Sequence, residues 1–390
     1  MISYWLNKKN ILILSLLSIG IFTRFSVLFL PNSFLARTES NDLLYFLYPW
    51  YDYINTHGIS KALGDAFTNY TPPYTYLLAL STLFPLPKVI AIKSLSLSMD
   101  FINAFGIYKL ISIYRPKQNA LLATGVFLCL PTIFMNSTIW GQADAFYTGF
   151  LIFSVYFFAK KSYFKGIILF SIAFSFKAQA VFITPLLLIL AYKKYIKWYY
   201  FFATPIIYIL ISSPTIILGR DWVDVLSIYA KQGVYYQFLS ANAPNLYYFI
   251  PNTYYAPVSK IGMVIAVITL LFMVTVFVKN TKTFTPLNII FIAYLSSFIL
   301  PFVLPKMHDP YFYPADVLSL VLAFHCARLW FVPLVHQISS GLAYIPFLFW
   351  QESPAKILIL SAALINTALI LYIIRYTKLE IKKQESVFFT

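Results

Sequence analysis

Four short clusters in this sequence hold the residue types that chemistry needs. The first lies in residues 31–88. It opens with Arg37, Glu39, Asn41 and Asp42, runs through an aromatic stretch from Tyr45 to Tyr53 that includes Trp50, and closes on Asn69-Tyr70-Thr71-Pro72-Pro73-Tyr74. A carboxylate beside stacked aromatics suits a sugar, because rings cover pyranose faces and the carboxylate takes a hydroxyl proton. The ordinary alternative for Asp42 is to cap the helix that follows it. Glu39, three residues away, is its nearest rival as a base. Asp52 lies deeper in the aromatic stretch, and Asp65, beside a glycine, suits a turn.

The second cluster is Asn136-Ser137-Thr138-Ile139-Trp140-Gly141-Gln142-Ala143-Asp144. It places Gln142 and Asp144 at the end of an apolar run, where a plain polar loop is the competing reading. The third is Phe176-Lys177-Ala178-Gln179. A lysine inside an apolar stretch costs a few kcal/mol, so Lys177 is expected to face a cavity or a partner. With Gln179 it could meet an anion, and snorkelling or a structural ion pair is the alternative. The fourth runs from Pro305 to Asp316 and contains Lys306, His308 and Asp309. These offer donors to a phosphate, and the prolines stiffen the approach. His308 alone is an ordinary surface histidine, and no second ligand pattern joins it for zinc. Lys93 and Asp100, seven residues apart on one helical face, read first as a structural pair.

What positions these clusters follows from composition. The chain is 60% hydrophobic and 11% charged, whereas a soluble domain is about a quarter charged. Only a bilayer can act as solvent for such a surface. Apolar runs predict spans at Ile11–Leu30, Val89–Tyr114, Ala120–Met135, Ala145–Ala159, Trp198–Leu218, Ile261–Val278, Leu287–Leu304, Tyr311–Ala327, Leu329–Trp350 and Ile357–Ile374. Gly166–Tyr192 carries Lys177 and Gln179 at its middle and fits two half-length helices better than one. The expected fold is all-α: a polytopic transmembrane bundle of about 11–13 segments, forming one domain over 1–390. Ile11–Leu30 is too long for a signal-peptide core and reads as a retained first span.

The net charge of +16 raises nucleic acid as a partner, but the basic residues sort by side instead. With the N-terminus inside, the inner loops receive 18 basic and two acidic residues, and the outer loops 8 basic and 10 acidic. That bias predicts a multi-pass protein of the plasma (inner) membrane with both termini cytoplasmic and the four clusters facing outward. Residues 31–88, 219–260 and 305–316 become outer loops, rich enough in aromatics to be ordered. Cys129 and Cys326 lie in apolar runs, with no disulfide or zinc spacing.

Taken in order, the clusters resemble the clan C membrane glycosyltransferases. They are most similar to the dolichyl-phosphate-glucose-dependent glucosyltransferases of N-glycan assembly and their bacterial relatives. The family's acid after the first span corresponds to Asp42. Its aromatic stretch corresponds to Tyr45–Tyr53, and its Tyr-x-Pro-Pro helix start to Tyr70-Thr71-Pro72-Pro73. Gly141-Gln142-Ala143-Asp144 matches a polar turn, Lys177-Ala178-Gln179 a Lys-Gln motif, and His308-Asp309 a late His-acid turn. Two motifs depart: Ala178 separates Lys177 from Gln179, and His-Asp-Pro replaces the eukaryotic His-Glu-Lys.

The resemblance implies a clan C fold and a polyprenyl-phosphate sugar donor. It also implies direct displacement with inversion at the anomeric carbon, and the expected reaction is transfer of a hexose to a lipid-linked or glycan acceptor without metal or cofactor. Asp42 would be the base, with Glu39 behind it. Lys177, Gln179, Lys306 and His308 would hold the donor phosphate, and Trp50, Tyr70, Gln142, Asp144 and Asp309 the substrates. Two other classes remain: a transporter or flippase of lipid-linked saccharides, and a non-catalytic subunit that binds the carrier lipid.

Overall fold

The computed structural model describes residues 7–30, 38–281, 283–349 and 355–382. Arg37 of the first cluster lies outside these residues, as do Lys282, Trp350, Glu352, Lys383 and Glu385. The described residues form 17 α-helices joined by short π and 3-10 segments. Seven helical stretches are long and apolar enough to cross a membrane: Lys8–Ser26, Lys88–Ile111, Trp198–Ile217, Asn252–Asn280, Pro286–Val303, Ala327–Phe349 and Ala355–Leu379. Two of them sit inside, with 67% of the Lys88–Ile111 window and 83% of the Pro286–Val303 window buried, whereas 22% of Asn252–Asn280 is. The last of these exposes Ile261, Val264, Val267, Ile268, Leu271 and Phe272. Such a surface is stable only in an apolar solvent, the solvent of a membrane protein.

The expected spans need three adjustments. Ala120–Met135 is two helices, Lys117–Cys129 and Pro131–Trp140, bent by 55°. The cause is local: Pro131 has no N–H to donate and forces Leu130 into an extended conformation (φ −66°, ψ 128°). Tyr311–Ala327 contains a helix of only 13 residues, Tyr313–His325, about 20 Å long at 1.5 Å per residue. Asp144–Ala159, at 16 residues, is also shorter than a bilayer core of about 30 Å.

Gly166–Tyr192 is broken, as its length and charge require. A helix from Tyr163 to Phe176 ends at Lys177, whose backbone is extended (φ −155°, ψ 133°). A 3-10 turn, Ala178–Ile183, and a helix, Thr184–Tyr192, carry the chain back. The Tyr163 and Tyr195 rings lie 5.6 Å apart, so the two ends of the hairpin meet and Lys177 stands at its far apex. Helices Lys88–Ile111 and Asp144–Ala159 pack closely because Gly149 lacks a side chain: a Cβ there would lie 2.7 Å from Asn103 Oδ1.

The described part of the first loop, residues 38–88, is folded. After a π-helix, Leu43–Leu47, come helices Tyr48–His57, Ile59–Gly64 and Pro72–Ser81. Pro72 and Pro73 begin the last of these, where a missing N–H costs nothing. The second long loop contains a helix, Trp222–Tyr235. It reaches the late loop through a two-residue parallel strand pair, Ser240–Ala241 with Met307–His308.

The bundle interior holds more charge than the sequence implied. Asp100 does not pair with Lys93. Its Oδ2 accepts from Arg24 Nε at 2.7 Å and from Ser137 Oγ at 2.6 Å, with both ion-pair side chains fully buried. Lys93 Nζ instead donates to the Thr38 carbonyl at 2.9 Å. Asp316, expected in an outer loop, is buried in the helix Tyr313–His325. It faces His336 Nδ1 at 3.5 Å and accepts from Ser340 Oγ at 2.9 Å, while His336 Nε2 lies 3.0 Å from Tyr294 OH.

Candidate functional site

Asp42 does not cap its helix. It occupies the N-cap position of the π-helix Leu43–Leu47 but makes no capping bond. Ser40 does that work, its Oγ accepting from Leu43 N at 3.3 Å. The Asp42 carboxylate turns inward and meets the second cluster. Its Oδ2 accepts from Trp140 Nε1 at 2.9 Å and from Gln142 Nε2. Both bonds fall on one oxygen of a half-buried carboxylate, which leaves Oδ1 available.

The donors are held by an unusual stretch of backbone. Met135–Trp140 is a π-helix, a form that appears mostly in short pieces at functional sites. Gly141 ends it in a left-handed conformation (φ 76°) that suits glycine. The turn is closed by Gln142 N donating to the Asn136 carbonyl at 3.0 Å, and fastened by Ser96 Oγ donating to the Gln142 carbonyl at 2.6 Å. Two residues later Asp144 begins its helix, and its Oδ1 accepts from Lys177 Nζ at 2.8 Å. Lys177 also lies 5.2 Å from the centre of the Tyr311 ring and 5.9 Å from that of Tyr147.

The late loop completes the cluster. Asp309 is 4% exposed, and its Oδ2 is buried with no hydrogen bond among the described residues. Burial, and then the charges of Asp42 and Asp144, push its carboxyl well above the usual range. His308 packs between the rings of Tyr236 and Tyr311, at 5.1 and 5.3 Å. Burial and the nearby Lys177 charge push its imidazole down to about 4. At neutral pH it is a neutral donor. Trp50 and Tyr70 form an aromatic wall, their ring centres 5.1 Å apart, continued by Tyr74 at 5.0 Å from Tyr70.

No protein-family model matches this chain, and no curated protein matches it.

Asp42, Trp140, Gln142, Asp144, Lys177, His308 and Asp309 converge from segments distant in sequence, with Trp50 and Tyr70 beside them. Gln179 follows Lys177 in the 3-10 turn, and its Oε1 is buried without a partner among the described residues. Two candidates are not brought in. Glu39 is exposed and accepts from Tyr48 OH at 2.8 Å. Lys306 Nζ donates to the Gly233 carbonyl at 3.1 Å and lies over the Tyr255 ring. The remaining first-loop acids are also engaged elsewhere, Asp52 with Lys88 at 2.6 Å and Asp65 with Lys61 at 2.5 Å.

Sequence reasoning missed Trp140 as the partner of Asp42, and Tyr147, Tyr236 and Tyr311 as its aromatic surround. Trp140 stands in the second cluster, but nothing in its spacing points to Asp42. Among the described residues no three His, Cys, Asp or Glu side chains group as a metal site would. Chemically, the cluster offers a carboxylate with one fixed and one open oxygen, a lysine, and a buried carboxyl whose Oδ2 has no partner among the described residues.

Proposed function

We propose that this protein is a membrane glycosyltransferase. It moves a hexose from a polyprenyl-phosphate donor to a lipid-linked or glycan acceptor at the outer face of the membrane, with inversion and without a metal. One observation carries the reading: Asp42 gives up helix capping and is held through one oxygen by Trp140 and Gln142. A general base needs that geometry, fixed in orientation and open on the attacking side. Lys177, with the neutral His308, meets the phosphate, and Trp50 and Tyr70 face the sugar. One carboxylate, Asp42, suffices as the base for the attack.

The seven long helices, the bent pair, the three shorter apolar helices and Tyr313–His325 make about twelve membrane segments. Their basic ends face the cytoplasm. Cysteines placed at position 65 should be labelled by an impermeant reagent from outside, and cysteines at 380 only after permeabilisation. The reverse pattern would put the site on the cytoplasmic face.

A flippase of lipid-linked saccharides is the second reading. The ionisable groups inside the bundle, Asp316 and His336, favour it, since such groups often mark a translocation path. Purified protein in nanodiscs, offered a panel of polyprenyl-phosphate hexoses with lipid-linked acceptors, separates the two. Transfer from at least one donor, giving the anomer opposite to the donor's, is expected. If no donor is consumed while liposomes show lipid-linked sugar crossing the bilayer, the flippase reading replaces the enzyme.

A further inference from the structure

Three carboxyl groups surround one lysine at the site. Asp144 and Asp309 are buried and Asp42 is half-buried, and Lys177 is committed to Asp144 at 2.8 Å. The charged and titratable groups that face Asp309 are Asp42, Asp144 and Lys177, with the phenols of Tyr311 and Tyr344. His308, its neighbour in sequence, is neutral. Three carboxylates around one cation would leave two uncompensated negative charges in a poorly solvated place, so one carboxyl keeps its proton. Asp309 is the group so placed. It is 4% exposed, has no cation of its own, and its Oδ2 lacks an acceptor among the described residues. A buried carboxylic O–H needs one. A bound phosphate oxygen would supply it, where an ionised carboxylate would repel it.

We infer that Asp309 acts as a neutral carboxylic acid that passes its proton to the phosphate oxygen leaving the sugar. The inference rests on the glycosyltransferase reading. The acceptor hydroxyl oxygen attacks the anomeric carbon and its proton goes to Asp42. The bond from the anomeric carbon to the phosphate oxygen breaks, and its electron pair stays with that oxygen. That oxygen takes the Asp309 proton. The products are the glycoside and a singly charged lipid phosphate, and the pocket keeps its net charge because Asp42 has gained the proton that Asp309 lost. The transfer matters here because it moves the second negative charge from the leaving phosphate to Asp309; without it a phosphate dianion would lie beside the Asp144 charge. As the products leave, the proton returns from Asp42 to Asp309 through the water that refills the site.

Asp309→Asn tests this, since the amide keeps the shape and a hydrogen-bond donor but cannot release a proton. Turnover should fall by about 10²-fold, the usual scale of proton-transfer catalysis, with donor binding within a few-fold of the parent. The alkaline fall-off of the parent's pH profile should vanish. Asp309→Glu, which keeps the acid, should recover part of the rate and the alkaline limb, and guards against simple misfolding. Infrared difference spectra at neutral pH should show a protonated-carboxyl C=O band that Asp309→Asn lacks. Near-normal turnover in Asp309→Asn, an unchanged alkaline limb, or loss of donor binding in step with turnover would overturn the inference. An absent infrared band in a protein that transfers sugar sinks the inference alone. A present band in a protein that transfers none sinks the glycosyltransferase reading, and the proton's role with it.

Discussion

Asp42→Asn is expected to lower sugar transfer by about 10²–10⁴-fold while the donor still binds, the loss that follows removal of a general base. Asparagine preserves the volume and the acceptor oxygen for Trp140 and Gln142, so the π-helix turn should survive. Glu39→Gln should keep near-normal turnover, because Glu39 is tied to Tyr48 at the surface. The pH dependence follows from the same site. Desolvation raises the Asp42 carboxyl above its ordinary value, opposed by the hydrogen bonds from Trp140 and Gln142 and by the Lys177 charge. A base works deprotonated, so activity should fall with decreasing pH at values above the usual carboxylate range of about 3.9. Trp140→Phe removes a bond that favours the charged form, so its acidic limb should move to higher pH. Turnover profiles of the parent, Asp42→Asn and Trp140→Phe measure all of this. A near-normal Asp42→Asn with a defective Glu39→Gln would transfer the role to Glu39, normal rates in both would remove the base role from both residues, and no sugar transfer by the parent with any donor would remove the enzyme reading.

The largest stability effect should come from Arg24. Its guanidinium is fully buried, bonds Asp100 at 2.7 Å and donates to the Leu128 carbonyl at 2.5 Å. Arg24→Met would strand the Asp100 carboxylate inside the bundle, a loss of about 3–5 kcal/mol for one broken buried pair. The double replacement Arg24→Met with Asp100→Leu leaves no charge behind and should recover most of that stability. Thermal unfolding in detergent of the two single variants and the double variant checks it; additive losses would contradict the pairing. Catalysis should not recover with stability. Asp100 also holds Ser137 at 2.6 Å, and Ser137 stands in the π-helix that presents Trp140 to Asp42. The double variant should therefore be stable but slow.

The sequence by itself determined the solvent and the class. Too few charges and long apolar runs leave a helical membrane bundle as the stable arrangement, because only helices and closed barrels satisfy their backbone groups in lipid. It also placed the break at Lys177, which follows from a local rule, a charge in an apolar run; the break at Pro131, where a ring removes an N–H, is equally local but lay hidden inside the run Ala120–Met135. The candidate acids were legible as a set. Choosing among them was not, because Glu39, Asp42, Asp52 and Asp65 share one loop and the same chemistry. The tertiary structure separated them through partners far along the chain. Trp140 and Gln142 reach Asp42 across 98 and 100 positions, whereas Glu39 meets Tyr48 and Asp65 meets Lys61 nearby. The same distance hid the Arg24–Asp100 pair, 76 positions apart, behind the closer match of Lys93. Helical spacing shows which residues share a face, but which face meets which is settled only when side chains fill the space between helices.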